Sequence, residues 1–198
     1  ALGGEKFSAL DDKEYVLSKG MTVISDSEGI ESLAGIMGGS ASGCTDTTEN
    51  VFIEAAYFNP IRTAYTGREL KVNSDARYRF ERGIDPEWTA FGIEAATKMI
   101  IELCGGEPSN VVQAGEIPNH GRAYKVDTAR IESLVGMAIP PHKQLNILEN
   151  LGFVIKGDTA SVPSWRPDIQ GEADLVEEIA RVVSLTKLQG TPLPRNTN

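Results

Sequence analysis

Ser164-Trp165-Arg166-Pro167-Asp168-Ile169-Gln170-Gly171-Glu172-Ala173-Asp174-Leu175-Val176-Glu177-Glu178-Ile179-Ala180-Arg181-Val182 is the stretch from which the rest of the chain is read. From Glu172 onward, Leu175, Val176, Ile179, Val182 and Val183 recur at helical spacing and predict an amphipathic helix. Asp174, Glu177 and Glu178 stand at i, i+3 and i+4, so one face of that helix carries three acids. Asp168 lies just upstream, where Pro167 forces an extended approach and Gly171 permits a bend. Like charges at this spacing repel by roughly 0.2–0.5 kcal/mol per pair, so something must offset them. One offset is the helix dipole together with Arg181, which stands i+4 from Glu177 and i+3 from Glu178. The other is a hard cation such as Mg²⁺, which takes carboxylate oxygens and keeps several waters. The spacing does not choose between them.

With 198 residues and 40 % hydrophobic content, the chain has room for one or two domains with a real core. No apolar run reaches transmembrane length, and the amino terminus does not resemble a signal peptide. Ala1 opens the chain without cap or turn logic, and the Pro192-Leu193-Pro194 and Arg195–Asn198 end reads as interrupted chain, so a piece of a longer protein is expected. Cys44 and Cys104 are too few and too far apart for a disulfide framework and form no zinc spacing, so both are expected to be reduced and buried in a cytoplasmic protein. A net charge of −9 argues against a general nucleic-acid-binding surface, DNA included. Between Ile61 and Arg82, however, six cations face three acids, a local balance of +3. A polyanion touching this chain should touch it there.

Along the first half, Tyr15–Leu17, Met21–Ile24, Leu33–Met37 and Val51–Ile53 read as strands between glycine-rich turns. A helix follows, with Asp85 as its N-cap and Pro86 at its first position. Trp88, Phe91, Ala95, Met99, Ile100 and Leu103 are expected to form its buried stripe, and Gly105-Gly106 to end it. The Gly115–Gly121 segment marks a domain boundary, giving domains 1–117 and 118–198. Lone His120 and His142 have no metal-binding company in the sequence. In the second domain, a helix over Thr128–Val135 precedes one from Pro141 that places Leu145, Leu148 and Leu151 on one face. A hairpin turning at Gly157-Asp158 and then the acidic helix complete a small winged-helix-like α/β domain. The fold class is α+β, with a mixed sheet in the first domain.

The Ser-Trp-Arg-Pro-Asp and Asp-Leu-Val-Glu-Glu-Ile-Ala-Arg-Val runs resemble the signature of the bacterial phenylalanyl-tRNA synthetase beta subunit. That resemblance implies Mg²⁺ ligands at Asp168, Asp174, Glu177 and Glu178, in a site shared with the alpha subunit of an alpha2beta2 tetramer. It extends upstream through Ala34-Gly35-Ile36-Met37-Gly38-Gly39, Asn50–Phe58, Asn73-Ser74-Asp75-Ala76 and Arg79–Pro86, which are similar to the family's editing domain. The implied activity there is hydrolysis of tyrosine wrongly attached to the phenylalanine tRNA, tRNA(Phe). The implied pocket residues are Gly38, Gly39, Glu54, Ser74 and Ala76, with Glu54 and Ser74 as the catalytic pair. The family's upstream His-x-Phe-Asp segment is not in this sequence, and serine stands where the family usually has threonine.

The residue chemistry fits those roles. Glycine at positions 38 and 39 lets backbone approach a bound ring. Glu54 lies in an apolar run, where its carboxylate either pairs with Arg62 or Arg77 or awaits a hydroxyl. If it accepts a tyrosine phenol, phenylalanine would face a buried carboxylate left unpaired, a loss of roughly 1–3 kcal/mol. Arg77 and Arg79, in the basic segment, are the expected tRNA contacts. Aminoacylation, which consumes ATP, belongs in that family to the alpha subunit. Two rivals remain: a docking module with a vestigial pocket, and a free-standing aminoacyl-ester hydrolase.

Overall fold

The computed structural model describes residues 1–188, 190 and 192. The remaining tail residues, and the reading of residues 193–198 as an interrupted end, lie outside the described set. The chain forms two compact units that divide after Pro118.

Short turns build the first unit. Strand β1 (Lys6–Ser8) pairs antiparallel with β2 (Glu14–Val16), and Phe7 alone of β1 points into the core. Strands β3 (Val23–Ser25), β4 (Ile30–Leu33) and β5 (Met37–Gly38) form a second antiparallel sheet in sequence order. The β3–β4 turn is closed by Asp26, whose Oδ1 accepts from the amides of Glu28 and Gly29. Every ladder among the described residues is antiparallel, in contrast to the expected mixed sheet. Connections of a few residues cannot return a strand parallel to its predecessor. The expected strand Leu33–Met37 is also corrected: Gly35 at φ 69° turns the chain at Ala34–Ile36 and separates β4 from β5.

No helix or strand forms between Gly39 and Asn59, so the expected strand Val51–Ile53 does not exist. Phe52 there is 92 % exposed, and no strand among the described residues pairs with its backbone. Three helices follow. Helix α1 (Pro60–Glu69) starts on Asn59, whose side chain accepts from the Arg62 amide, with Pro60 preset for the first turn. Helix α2 (Asp75–Phe80) starts on Ser74, whose hydroxyl accepts from the Arg77 amide. Helix α3 (Trp88–Cys104) begins two residues beyond the expected Pro86, with Glu87 at the cap position and no side-chain cap bond. Asp85 instead closes the turn before it, accepting from the Glu87 amide at 2.9 Å.

The stripe expected to bury α3 is turned outward. Trp88 is 58 %, Phe91 59 % and Leu103 78 % exposed, and no residue of α3 is fully buried. The partly covered residues are Thr89, Gly92, Ile93, Ala96, Thr97 and, of the expected stripe, Ile100 alone. Apolar spacing identifies the helix correctly but not the side that packs. Both cysteines are exposed free thiols rather than buried, because Cys44 sits in the irregular 39–59 segment and Cys104 ends α3. Phe7, Leu17, Met21, Leu33, Ile36 and Val72 make the core of this unit.

The second unit begins at Asn119. Strand β6 (Ala123–Lys125) precedes helices α4 (Arg130–Val135) and α5 (Pro141–Asn150), the hairpin β7 (Val154–Lys156) and β8 (Thr159–Ser161), and helix α6 (Glu172–Val183). Strand order is β6-β8-β7, with β8 central and Ala160 fully buried in it. Strand β6 has no counterpart in the sequence reading. Helix α6 buries Leu175, Val176 and Ile179 against Ile131, Leu148, Phe153 and Ile169, as its spacing predicts. Gln144, 1 % exposed, ties the starts of α4 and α5 together by donating to the carbonyls of Thr128 and Ile139. Arg122 braces the Ser-Trp-Arg-Pro-Asp loop by donating to the carbonyls of Arg166, Pro167 and Ile169.

The turn after α5 lends itself to a direct test. Gly152 has φ 93°, and a Cβ there would sit 2.6 Å from Cζ2 of Trp165. Gly152→Ala combines left-handed strain with an aromatic collision, so it should destabilise the second unit by more than about 1 kcal/mol in chemical denaturation. Retention of parental stability would mean that Trp165 swings aside freely.

Candidate functional site

A cavity of about 550 Å³ opens in the first unit. Three stretches supply its walls. The β-sheet gives Ile24, Leu33 and Met37, and the turn between β4 and β5 gives Gly35, Ile36 and, at its far side, Gly38. The irregular segment gives Glu54, Ala55, Ala56 and Phe58, while α2 and the chain leading into α3 give Ala76, Phe80, Ile84, Asp85, Trp88 and Thr89. The surface is therefore mostly apolar and aromatic with two carboxylates, the composition of a site for a small, largely apolar ligand with polar ends.

Local backbone chemistry makes the cavity possible. A Cβ on Gly35 would stand 2.9 Å from Cγ of Phe80 and 3.0 Å from Cδ2 of Phe58, so only glycine lets the turn rest against this aromatic pair. The two rings lie 5.2 Å apart, tilted by 46°. Gly38 lines the cavity and faces only the flexible end of Leu10 across from it. Gly39 does not line it. A Cβ there would meet the carbonyl oxygen of Glu31 at 2.7 Å, so glycine serves backbone packing at that position.

Glu54 keeps solvent contact through the open cavity, yet desolvation by the surrounding walls pushes its carboxyl above the ordinary range. Among the described residues it forms an ion pair with neither Arg62 nor Arg77, and the Arg77 guanidinium is engaged by Gly67, Val72, Asn73 and Glu81 instead. Ala76 lines the same cavity. Ser74 does not. Its hydroxyl donates to the Ile36 carbonyl at 2.6 Å and accepts from the Arg77 amide at 3.0 Å, so donor and acceptor are both engaged. The side chain expected to face an ester instead joins α2 to the turn that forms the opposite wall.

Arg77 is likewise drawn inward, contrary to its expected role as a tRNA contact. Its Nη1 donates to the carbonyls of Gly67 and Val72 and to Asn73 Oδ1, and its Nε pairs with Glu81 at 2.9 Å. With only 11 % of its side chain exposed, it binds α2 to α1 across Gly67, where any Cβ would collide with the guanidinium stem. Arg79 is exposed, as are Arg62, Arg68, Lys71 and Arg82, the last stacked 3.7 Å over the Tyr78 ring. The basic surface therefore survives without Arg77.

In the second unit, the four acids part company. Asp168 receives Nε and Nη2 of Arg166 at 2.9 and 2.6 Å, and Glu178 receives Nη1 of the same side chain at 3.0 Å and Nη2 of Arg181 at 2.5 Å. Burial alone would raise the Glu178 carboxyl, but the two guanidiniums outweigh it and hold it below the usual range. Arg166 does the same for Asp168. Asp174 accepts from the Gln170 amide at 2.7 Å, a bond that closes the turn into α6, and Glu177 faces solvent. No three His, Cys, Asp or Glu side chains among the described residues are grouped to hold a metal ion. Residues 168, 174, 177 and 178 thus do not fit a chelating Mg²⁺ set within this chain, because the Arg166 guanidinium stands between two of them.

Gly35, Phe58, Phe80, Asp85 and Trp88 join the cavity without having been singled out by the sequence for that role. The signal for Gly35 is its place between apolar neighbours that cannot all share one strand; the aromatic residues carry none.

Comparison with known families places residues 1–105 in the B3/4 domain family and residues 124–184 in the tRNA synthetase B5 domain family. The chain is 62 % identical over 198 residues to the phenylalanine–tRNA ligase beta subunit of Ruegeria pomeroyi, covering all of this chain and 25 % of that protein. The beta subunit of Cereibacter sphaeroides is 62 % identical over 195 residues, 98 % of this chain and 24 % of that protein. That of Paramagnetospirillum magneticum is 47 % identical over 199 residues, again 98 % of this chain and 25 % of the relative. The chain spans about a quarter of the length of the curated relatives it matches. It belongs to the B3/4 domain family, continues in the same sequence into a tRNA synthetase B5 domain, and along its whole length is similar to a segment of phenylalanine–tRNA ligase beta subunits.

Proposed function

We propose that the chain is the editing segment of a phenylalanine–tRNA ligase beta subunit, and that its first unit hydrolyses tyrosine from mischarged tRNA(Phe). The observation that carries this reading is Glu54, which lines a mostly apolar and aromatic cavity that Gly38 and Ala76 also line. A pocket that must admit phenylalanine elsewhere in the enzyme rejects an added hydroxyl only about 10²-fold, so a second pocket that demands the hydroxyl is the chemical remedy. Glu54 accepts the hydrogen bond of the phenol, and Gly38 and Ala76 leave room for the ring. Ser74 acts through position, holding the two walls at their separation. In the reaction, water bonds to the acyl carbon, and the ribose oxygen leaves with a proton. The exposed cations Arg62, Arg68, Lys71 and Arg79 attract the tRNA backbone.

The second unit, read as winged-helix-like from its helices and hairpin, supports assembly with an alpha subunit, and the apposed Arg166, Asp168 and Glu178 keep its acidic loop in one conformation. A shared ion would have to draw on Glu177 and Asp174 together with oxygens of the partner.

The deciding experiment measures deacylation of tyrosyl- and phenylalanyl-tRNA by the assembled ligase. Glu54→Gln should reduce the tyrosine preference by roughly 10-fold or more, while phenylalanine attachment is retained. Because desolvation raises the Glu54 pKa, the carboxyl holds its proton to higher pH than usual and accepts poorly until it ionises. Tyrosine preference should therefore climb as pH rises through the range above an ordinary carboxyl, and the climb should vanish in Glu54→Gln. An equal preference in mutant and parent at every pH removes Glu54 from recognition.

Ala76→Trp should abolish hydrolysis without lowering the melting temperature, since Ala76 faces the cavity and not the core. A large fall in melting temperature would mean instead that the site is packed, where overpacking costs about 1–3 kcal/mol.

Chelating Mg²⁺ should leave the melting temperature of this chain unchanged, whereas Arg166→Gln should destabilise it by about 1–3 kcal/mol, because Glu178 keeps Arg181 but loses its second charged partner. The folded-state pKa of Glu178 is depressed, so its contribution is present above the unfolded pKa and is lost as pH falls through the folded one. Mg²⁺-dependent melting of the parent would return these acids to metal binding.

A further inference from the structure

We propose that Tyr65 and Tyr78 form a base-stacking platform for the unpaired nucleotides at the 3′ end of the aminoacylated tRNA. The inference rests on the editing reading given above and names the part of the RNA that the basic helices hold. Tyr65 of α1 is 66 % exposed and Tyr78 of α2 is 61 % exposed. Each is set among cations. Arg62, Tyr65 and Arg68 follow one another at three-residue steps along α1, and all three are exposed. Tyr78 stands next to Arg79 and one turn before Arg82. The Arg82 guanidinium lies 3.7 Å over one face of the Tyr78 ring and donates to the Tyr78 carbonyl at 2.8 Å. That contact backs the ring on one side while most of the residue stays in solvent.

Charge selects the partner. The chain carries −9 overall, yet six cations face three acids between Ile61 and Arg82. Glu81 is paired with Arg77 and Arg82, and Glu69 accepts from the Ser18 hydroxyl. Among the described residues, Arg62, Arg68, Lys71 and Arg79 stand in no ion pair with an acid of this segment. Such cations attract phosphates, whereas rings set among them offer a contact that only base faces can use. A duplex hides its base faces, so the pattern fits an unpaired strand, and the end of a tRNA that carries the ester is unpaired. Position follows from α2. Ala76 and Phe80, one turn apart, line the cavity, while Tyr78, two residues from each, lies on the other side of the same helix. A helix with its side chains is about 10–12 Å across, so a strand whose ester occupies the cavity reaches Tyr78 within a few nucleotides. Arg77 ties α2 to α1 through the Gly67 carbonyl, which puts both tyrosines on linked supports.

The test uses the assembled ligase carrying full-length beta subunit and compares hydrolysis of tyrosyl-tRNA(Phe) with that of tyrosyl-adenosine, which keeps the ester and lacks the rest of the strand. Tyr65→Ala and Tyr78→Ala should each lower kcat/KM for tyrosyl-tRNA by roughly 5–100-fold, the loss of one stacked base. Hydrolysis of tyrosyl-adenosine should stay parental in both. Tyr65→Phe and Tyr78→Phe, which keep the ring, should behave as the parent with both substrates. The salt dependence of kcat/KM should be unchanged in the tyrosine variants, whereas Arg68→Gln or Arg79→Gln should reduce its slope by about 1, because only the arginines release counterions. Parental kcat/KM for tyrosyl-tRNA in both alanine variants would overturn the inference. So would an equal loss with the two substrates, which makes the tyrosines part of the fold, or an equal loss in the phenylalanine variants, which assigns the effect to the phenol hydroxyls. An undiminished tyrosine preference in Glu54→Gln would count against the editing reading itself, whatever Tyr65 and Tyr78 do.

Discussion

The Ser74 hydroxyl donates to the Ile36 carbonyl and accepts from the Arg77 amide, and the cavity exists because this side chain holds two of its walls at a set separation. One wall is the turn between β4 and β5; the other is α2, which carries Ala76 and Phe80. Both partners of Ser74 are backbone groups, so the contact fixes chain rather than a rotamer. Arg77 then locks α2 to α1 through three oxygens and Glu81. Gly35 completes the arrangement by allowing the turn to rest on Phe58 and Phe80, an approach that a methyl group would forbid.

The second unit solves a different problem with the same side-chain chemistry. Acids at i, i+3 and i+4 would repel on an isolated helix. Here they diverge. Glu178 goes inward to Arg166 and Arg181, Asp174 closes a turn, and Glu177 stays in water. A planar guanidinium meets two carboxylates at once in a way an ammonium does not. Partly buried pairs of this kind contribute little net stability compared with an apolar core, but breaking one is costly, so they enforce a single loop conformation.

Elements whose signals are local are legible in the sequence. Helix α6, helix α5 and the Gly157 hairpin follow from spacing and turn chemistry that depend only on neighbouring residues. The family resemblance, and not local spacing, picks out the cavity residues; Gly38, Glu54 and Ala76 line one space, while Gly39 and Ser74 do not. Helices α1 and α2 also carry local signals, Asn59-Pro60 and Ser74, that are plain once the caps are seen. Spacing alone does not reveal them, because the residues they contain are mostly polar and basic and give weak periodicity.

What required the tertiary structure was every question about which side of an element meets another. The α3 sequence determined a helix, and its large apolar residues determined an amphipathic one, yet the packed side is the stripe of mostly small residues. Periodicity specifies a face, but which face is covered depends on what the rest of the chain brings near. The same holds for charge. Composition determined that residues 61–82 are basic and that the last helix is acidic. Only three-dimensional proximity decided that Arg77 would serve two helices, that Arg166 would stand between Asp168 and Glu178, and that Asp85 would share a cavity with Glu54. Sequence sets the residue types available to each contact, and long-range folding chooses among them, because a charge finds its partner by distance in space and not by position in the chain.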